Sequence, residues 1–249
     1  MLIEERSRKH AGEGSPRYVD RVEPVPRFAE LMRRPDTSLD EALLTIAAAV
    51  GGPLDLIEQL ARLDELAATC PSPTTEGVVR HLFRGPDAFL GDRTTYDDPE
   101  NSQLDRVLDR RRGIPITLSC VAIEVARRLG VPLLGVGLPA HFLVAEVDPS
   151  SMRALRWFDC FDAGAALDAR ACEALYRRVS GDARRFDASW LRPVTTRQII
   201  LRVLNNLKAS AQRRGDLRLL HRVMHLRMGL AELALAEHDE MARLMAPYN

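Results

Sequence analysis

The chain is 249 residues long, 46% hydrophobic and 28% charged, which suffices for one sizeable core with helical additions. Its 35 Lys and Arg balance 35 Asp and Glu, so no global field draws in nucleic acid or an anionic membrane surface. No apolar run approaches the about 20 residues of a membrane span, and the four cysteines form no CxxC pair that would indicate a zinc site or a disulfide framework. Reduced thiols in a cytoplasmic protein are the expectation.

Taken in order, the segment MLIEERSRKHAGEGSPRYVD is polar and mixed in charge, without the apolar stretch of a secretory signal. Residues 1–22 are expected to form a disordered tail, and 23–100 a helical segment. Ser38-Leu39-Asp40-Glu41 reads as an S-x-x-E capping box, ahead of a helix that stops at Gly51-Gly52. Pro53 is placed in the first turn of the next helix, whose Leu56, Leu60, Leu63 and Leu66 recur at helical spacing. A third helix begins near Thr75 and carries Val78, Val79, Leu82 and Phe83. A loop rich in Gly, Asp and Pro covers 85–100, after which Asn101-Ser102 is expected to cap the short helix QLDRVLDRR.

The most apolar helix runs from Pro115 to Leu129 and is closed by Gly130; with apolar residues on most sides it should be central and buried. VPLLGVGL, HFLVAEVD and LRWFDCF then read as three consecutive antiparallel strands, followed by a turn at Asp162 and Gly164. Trp157 and Phe158 are assigned to the core. Helices over 195–214 and 216–236, turning at Gly215-Asp216, form a hairpin that cannot bury its own apolar face and should pack on the core or on a partner. The expected architecture is α+β, with a core over 101–192 and the helical hairpin over 193–249.

A buried helix followed by strands, with a histidine opening one and an aspartate in the next, suits acyl transfer by cysteine. A thiol at the helix start is favoured as thiolate by the dipole, a histidine takes its proton, and a carboxylate orients the histidine. His141 opens HFLVAEVD, and Asp159 lies eighteen residues later in RWFDCF. The pair alone is a weak signal, because a histidine bonded to an aspartate also serves simply to hold two strands in register.

The stretch NSQLDRVLDRRRGIPITLSCVAIEVARRLGVPLLGVGLPAHFLV, from Asn101 to Val144, resembles the SirB-type proteins, a transglutaminase-like family. The likeness continues more loosely through Asp159 to Gly164 and takes in the helical segments on either side. It implies a papain-like cysteine-protease type core: a central helix packed on a small antiparallel sheet, flanked by N-terminal helices and the C-terminal hairpin. It also implies that His141 and Asp159 stand at the family's His and Asp positions. Relatives that keep a nucleophile carry G-x-C about fifteen residues before the glycine that ends the helix. Here that stretch is Gly113-Ile114-Pro115, so a proline stands at the thiol position.

Cys120 is the substitute to consider. It lies about 7.5 Å along the axis and about 140° around it from Pro115, on the stripe of Glu124 and Arg127 and beyond the first turn, where the dipole has faded. Pro115 instead aligns with Ser119, Ala122 and Ala126, a small-residue face suited to a closely packed sheet. A structural thiol is the favoured reading of Cys120, and packing that of Ser119. Cys160 follows Asp159 and should point to the opposite face. His221 and His225 have metal-binding spacing on a helix but no third ligand nearby, and the Arg110–Arg112 and Arg213–Arg214 runs read as solvated helix ends.

Function is expected to follow the missing thiol. The first reading is a non-catalytic module, a pseudoenzyme that binds a protein or peptide partner, without cofactor or metal and engaging neither nucleic acid nor membrane. The alternative is a cysteine-dependent amide or thioester hydrolase, or an acyltransferase, using Cys120, His141 and Asp159. A third, an assembly adaptor, requires an exposed apolar patch on the 195–236 hairpin.

Overall fold

The computed structural model describes residues 24–181 and 185–245, so the expected tail over 1–22 lies outside the described residues. The described chain opens with the helices α1 (Pro24–Leu31), α2 (Leu39–Gly51), α3 (Leu56–Ala68) and α4 (Thr75–Phe83). A two-residue strand β1 (Leu90–Gly91) pairs in parallel with β2 (Arg112–Gly113), with α5 (Leu104–Arg110) between them. Next come the central helix α6 (Pro115–Arg128) and the strands β3 (Leu133–Val136), β4 (Leu143–Val147), β5 (Ala154–Asp159) and β6 (Ala165–Leu167), an antiparallel sheet in chain order. The chain continues with α7 (Ala169–Ser180), α8 (Thr196–Arg214), α9 (Leu217–Met228) and α10 (Ala234–Met245). The fold is α+β, with a central helix against a small antiparallel sheet.

Pro115 occupies the first turn of α6, where its missing N–H costs nothing, and every residue from Pro115 to Ala126 is buried. One side of the helix meets β3 and β4, and its other sides meet α2, α3 and α4. Its C-terminal end is tied down electrostatically: Arg128 bonds Asp40 at 2.7 Å and Asp64 at 2.6 Å, and Arg127 bonds Glu124 at 2.8 Å. β4 is buried on both faces. Phe142 and Val144 join the large core around α6, while Leu143, Ala145 and Val147 join a second core with Tyr176 of α7 and Leu191. The sheet is therefore sandwiched between α6 and α7.

Several local expectations are corrected. Ser38 does precede α2, but no capping box forms: its hydroxyl bonds Asp40, which also accepts from the Glu41 N–H at 2.8 Å, and Glu41 pairs with Arg27. The nearer carboxylate intercepts both donors. Pro53 lies before α3, whose start is capped by the Asp55 carboxylate. Asn101 and Ser102 close a short 3₁₀ turn rather than capping α5, which begins after Gln103. The helix expected over 216–236 breaks at Gly229, so α9 and α10 make the C-terminal unit three helices rather than a hairpin. α9 also packs on α1 and α2, which covers most of its apolar face and leaves Leu217 exposed, as is Leu235 of α10.

Candidate functional site

The site begins with the turn that joins β3 to β4. The His141 N–H bonds the Leu138 carbonyl at 3.0 Å, and Ala140 takes the left-handed φ of 59°, strained for a residue with a Cβ. Arg202 of α8 clamps the turn, its Nη2 donating to the carbonyls of Leu138 at 2.7 Å and His141 at 2.6 Å. His141 therefore sits in a tight turn and does not itself open the strand, which starts at Leu143.

Register does the rest. Val144 lies opposite Phe158, which sets Asp159 across from Leu143 and diagonal to His141 on the same face. The His141 Nε2–H donates to both Asp159 oxygens at 3.0 Å, and both side chains are buried. Asp159 Oδ1 also accepts from the Phe161 N–H at 3.0 Å, holding that ring edge-on to the imidazole at 6.1 Å. Only glycine fits at position 91, because a Cβ there would approach the Phe161 ring to 2.6 Å. With Nε2 engaged, Nδ1 is the imidazole nitrogen without a protein partner among the described residues.

His141 separates two clefts. One, of about 190 Å³, is bordered by Arg202, Asn206 and Ser210 of α8. The other, of about 600 Å³, is bordered by Phe161 and by Leu175 and Arg178 of α7. Tyr96, Pro115, Ala140 and His141 line both, so the spaces meet at the first turn of α6.

Tyr96 is carried by a loop organised around Asp92. That carboxylate accepts from the Thr94 and Thr95 N–H groups at 3.0 and 2.8 Å, the Thr95 hydroxyl at 2.6 Å and the Asn101 amide at 3.2 Å. Burial pushes its pKa up, but these hydrogen bonds, led by Thr95, outweigh burial and bring it down to about 2. A carboxyl depressed below its unfolded value contributes stability above about pH 4 and loses it as pH falls toward 2. We therefore expect Asp92→Asn to cost about 1–3 kcal/mol at pH 7 and to flatten part of the stability loss between pH 4 and 2, read by urea unfolding. An unchanged acid profile would contradict this.

The thiols stand elsewhere. Cys120 is fully buried and lines neither cleft; burial pushes its pKa well above the ordinary thiol value, and the neighbouring Glu124 and Cys160 push it further. Cys160, just past Asp159, is buried in the large core, and burial raises its thiol as well. Cys172 lies in the second core and is pushed up to about 12, by burial first and then by Asp168. Half-buried Cys70 donates to the Ser72 carbonyl at 3.3 Å. Ser119 is buried in α6 beside the Cys160 thiol and lines neither cleft. The structure thus brings His141 and Asp159 together with Pro115 and leaves Cys120 in the core.

Among the described residues, no group of three or more His, Cys, Asp or Glu side chains could hold a metal ion. The His221 and His225 rings lie 4.2 Å apart at a tilt of 47°, with His225 Nδ1 bonded to the His221 carbonyl. No described helix is long and apolar enough to cross a membrane. Arg110 and Arg213 are not merely solvated: Arg110 pairs with Glu100, and Arg213 pairs with Asp97 at the smaller cleft. Tyr96 and Arg202, which sequence reading did not single out, belong to the site. No local pattern marks either, since only tertiary packing brings the 92–98 loop and α8 to His141.

The sequence profile of the transglutaminase-like superfamily matches residues 53–205. A UPF0162 protein of Xylella fastidiosa (strain Temecula1) is 42% identical over 134 residues, covering 52% of this chain and 46% of that protein. A UPF0162 protein of Pseudomonas aeruginosa is 29% identical over 201 residues, 76% of this chain and 67% of its own length. F-box only protein 21 of Mus musculus is 33% identical over 132 residues, 51% of this chain and 20% of that protein. The chain thus spans about half the length of the Xylella relative and a fifth of the mouse protein. No solved structure matches the chain significantly. With the profile extending over more than half of the sequence and over the helix, sheet and His–Asp pair described above, this chain belongs to the transglutaminase-like superfamily.

Proposed function

We propose that this chain is a non-catalytic, SirB-type member of the superfamily, a cytoplasmic module that receives a peptide segment of a protein partner in the clefts beside His141. The observation that carries this reading is Pro115: it stands in the first turn of α6 and lines both clefts with His141, where a nucleophile would have to stand. A base with its orienting carboxylate but no thiol in reach cannot form a covalent acyl intermediate. The hydrolase or acyltransferase reading would require Cys120 to leave the core, against the burial that also keeps its thiol protonated. The walls suit recognition: Tyr96 and Phe161 supply aromatic area, and Arg178 and Arg202 supply charge.

A photo-crosslinking phenylalanine analogue at Tyr96, which is 45% exposed, tests this in cells. The expected result is a discrete crosslinked partner whose attachment maps to one peptide segment and which is missing when the analogue is placed at Ile57, outside both clefts. Equal crosslinking at the two positions, or none at Tyr96, would contradict the proposal.

A further inference from the structure

A third cleft, of about 780 Å³, is lined by α3, α4 and the 85–89 loop, with the end of α5 alongside. It shares no lining residue with the two clefts beside His141. Its walls are mixed. Leu66, Pro71 and Pro86 supply apolar surface, and Arg62, Arg80, Arg84 and Arg111 supply charge.

Three of these four guanidiniums have no carboxylate partner among the described residues. Arg62 pairs with Asp109. Arg84 donates only to carbonyls, those of Ala163 at 3.3 Å and Gly164 at 3.4 Å. Arg111 donates through Nη1 to the Asp87 carbonyl at 2.7 Å and lies over the Phe89 ring at 5.0 Å. Arg80 is exposed, with no side-chain partner among the described residues. A helix dipole favours cations at the ends of α4 and α5, which accounts for where these arginines stand but not for their spare donors. With only Nη1 engaged, Arg111 keeps the two-donor fork formed by Nε and Nη2. Its left-handed backbone at φ 48°, the Phe89 ring and the Asp87 carbonyl hold that fork in place before anything binds.

The acids of this cleft, Glu65 and Asp87, are exposed and form no ion pair among the described residues. They oppose a continuous polyanion, whereas separate guanidiniums suit carboxylates spaced along a chain. A small free anion would make no use of the apolar wall. We propose that this cleft docks an acidic segment of a protein partner, one in which carboxylates flank an apolar side chain. The Arg111 fork takes one carboxylate in two parallel hydrogen bonds, and Arg80 and Arg84 take others. The apolar side chain lies on Leu66 and the two prolines. This site lies apart from the clefts beside His141 and does not rest on the reading given to them.

The test is fluorescence anisotropy of the full chain at low salt with a labelled pentapeptide that has leucine between two pairs of glutamates. The competitors are the peptide with glutamines for glutamates, the peptide with glycine for leucine, and a thymidine oligonucleotide. The expected result is saturable binding, about tenfold tighter than for the glutamine peptide and tighter than for the glycine peptide or the oligonucleotide. Arg111→Gln should weaken it about tenfold, and the more exposed Arg80→Gln about threefold. Arg153→Gln removes the same charge from an exposed position outside the cleft and should change nothing. Arg80 makes no side-chain contact in the free protein, so its variant does not act through the fold, and thermal unfolding checks Arg111→Gln. No saturable binding, an equally tight glutamine or glycine peptide, tighter oligonucleotide binding, or losses no larger than that of Arg153→Gln would each overturn the assignment. The Tyr96 crosslink reports the clefts beside His141, so the two readings fail separately.

Discussion

Replacing Pro115 with cysteine is expected to create a reactive thiol beside His141. The substituted position is the first turn of α6, where the dipole favours thiolate, and it lines both clefts with His141. Thiols so placed ionise about two units below the ordinary value near 8.5. At pH 6 the thiolate fraction then rises by about two orders of magnitude, and the lower nucleophilicity of such a thiolate returns about one of them. Alkylation of Pro115→Cys at pH 6 should therefore run about tenfold faster than that of an ordinary exposed thiol. Adding His141→Ala should move the apparent pKa back toward 8. An ordinary pH profile, indifferent to His141, would mean that the imidazole does not serve this position. Proline contributes only the first-turn geometry, so the substitution should cost the fold little.

The second large effect is on stability. Asp159→Ala should cost about 3 kcal/mol in urea unfolding, because it strands the buried His141 ring and also removes the acceptor for the Phe161 N–H. Asp159→Asn, which retains an acceptor, should cost about 1 kcal/mol, and His141→Ala about 2 kcal/mol. Since the two side chains touch, the double variant Asp159→Ala with His141→Ala should fall short of the sum by about 1–2 kcal/mol. A loss below about 0.5 kcal/mol for Asp159→Ala would show that the pair is not a strut between β5 and the β3–β4 turn.

What could be read in advance follows from the range of the interactions. The central helix and the strands were legible because Pro115, Gly130 and the runs of Val, Leu and Phe act within a few residues of themselves. The His141–Asp159 contact follows from strand register, which residue spacing constrains. Caps were less legible, because Ser38 had a nearer competitor in Asp40 and Pro53 was superseded by Asp55. The break at Gly229 went unseen because the apolar pattern continues across it, and only packing on α1 and α8 separates α9 from α10. Tyr96 and Arg202 were out of reach: one is placed by the Asp92 hydrogen bonds and the other by reaching across to the Leu138 carbonyl, and neither pattern is periodic.

The central claim, that the His–Asp pair faces no nucleophile, is tested most directly by alkylating the native wild-type protein with iodoacetamide across pH and mapping the modified cysteines by mass spectrometry, alongside His141→Ala. The account predicts slow labelling of Cys120, Cys160 and Cys172, limited by opening of the core and with no neutral-pH reactivity that depends on His141, while half-buried Cys70 labels first. Fast labelling of Cys120 near neutral pH that slows sharply in His141→Ala would contradict it and restore the cysteine-dependent enzyme.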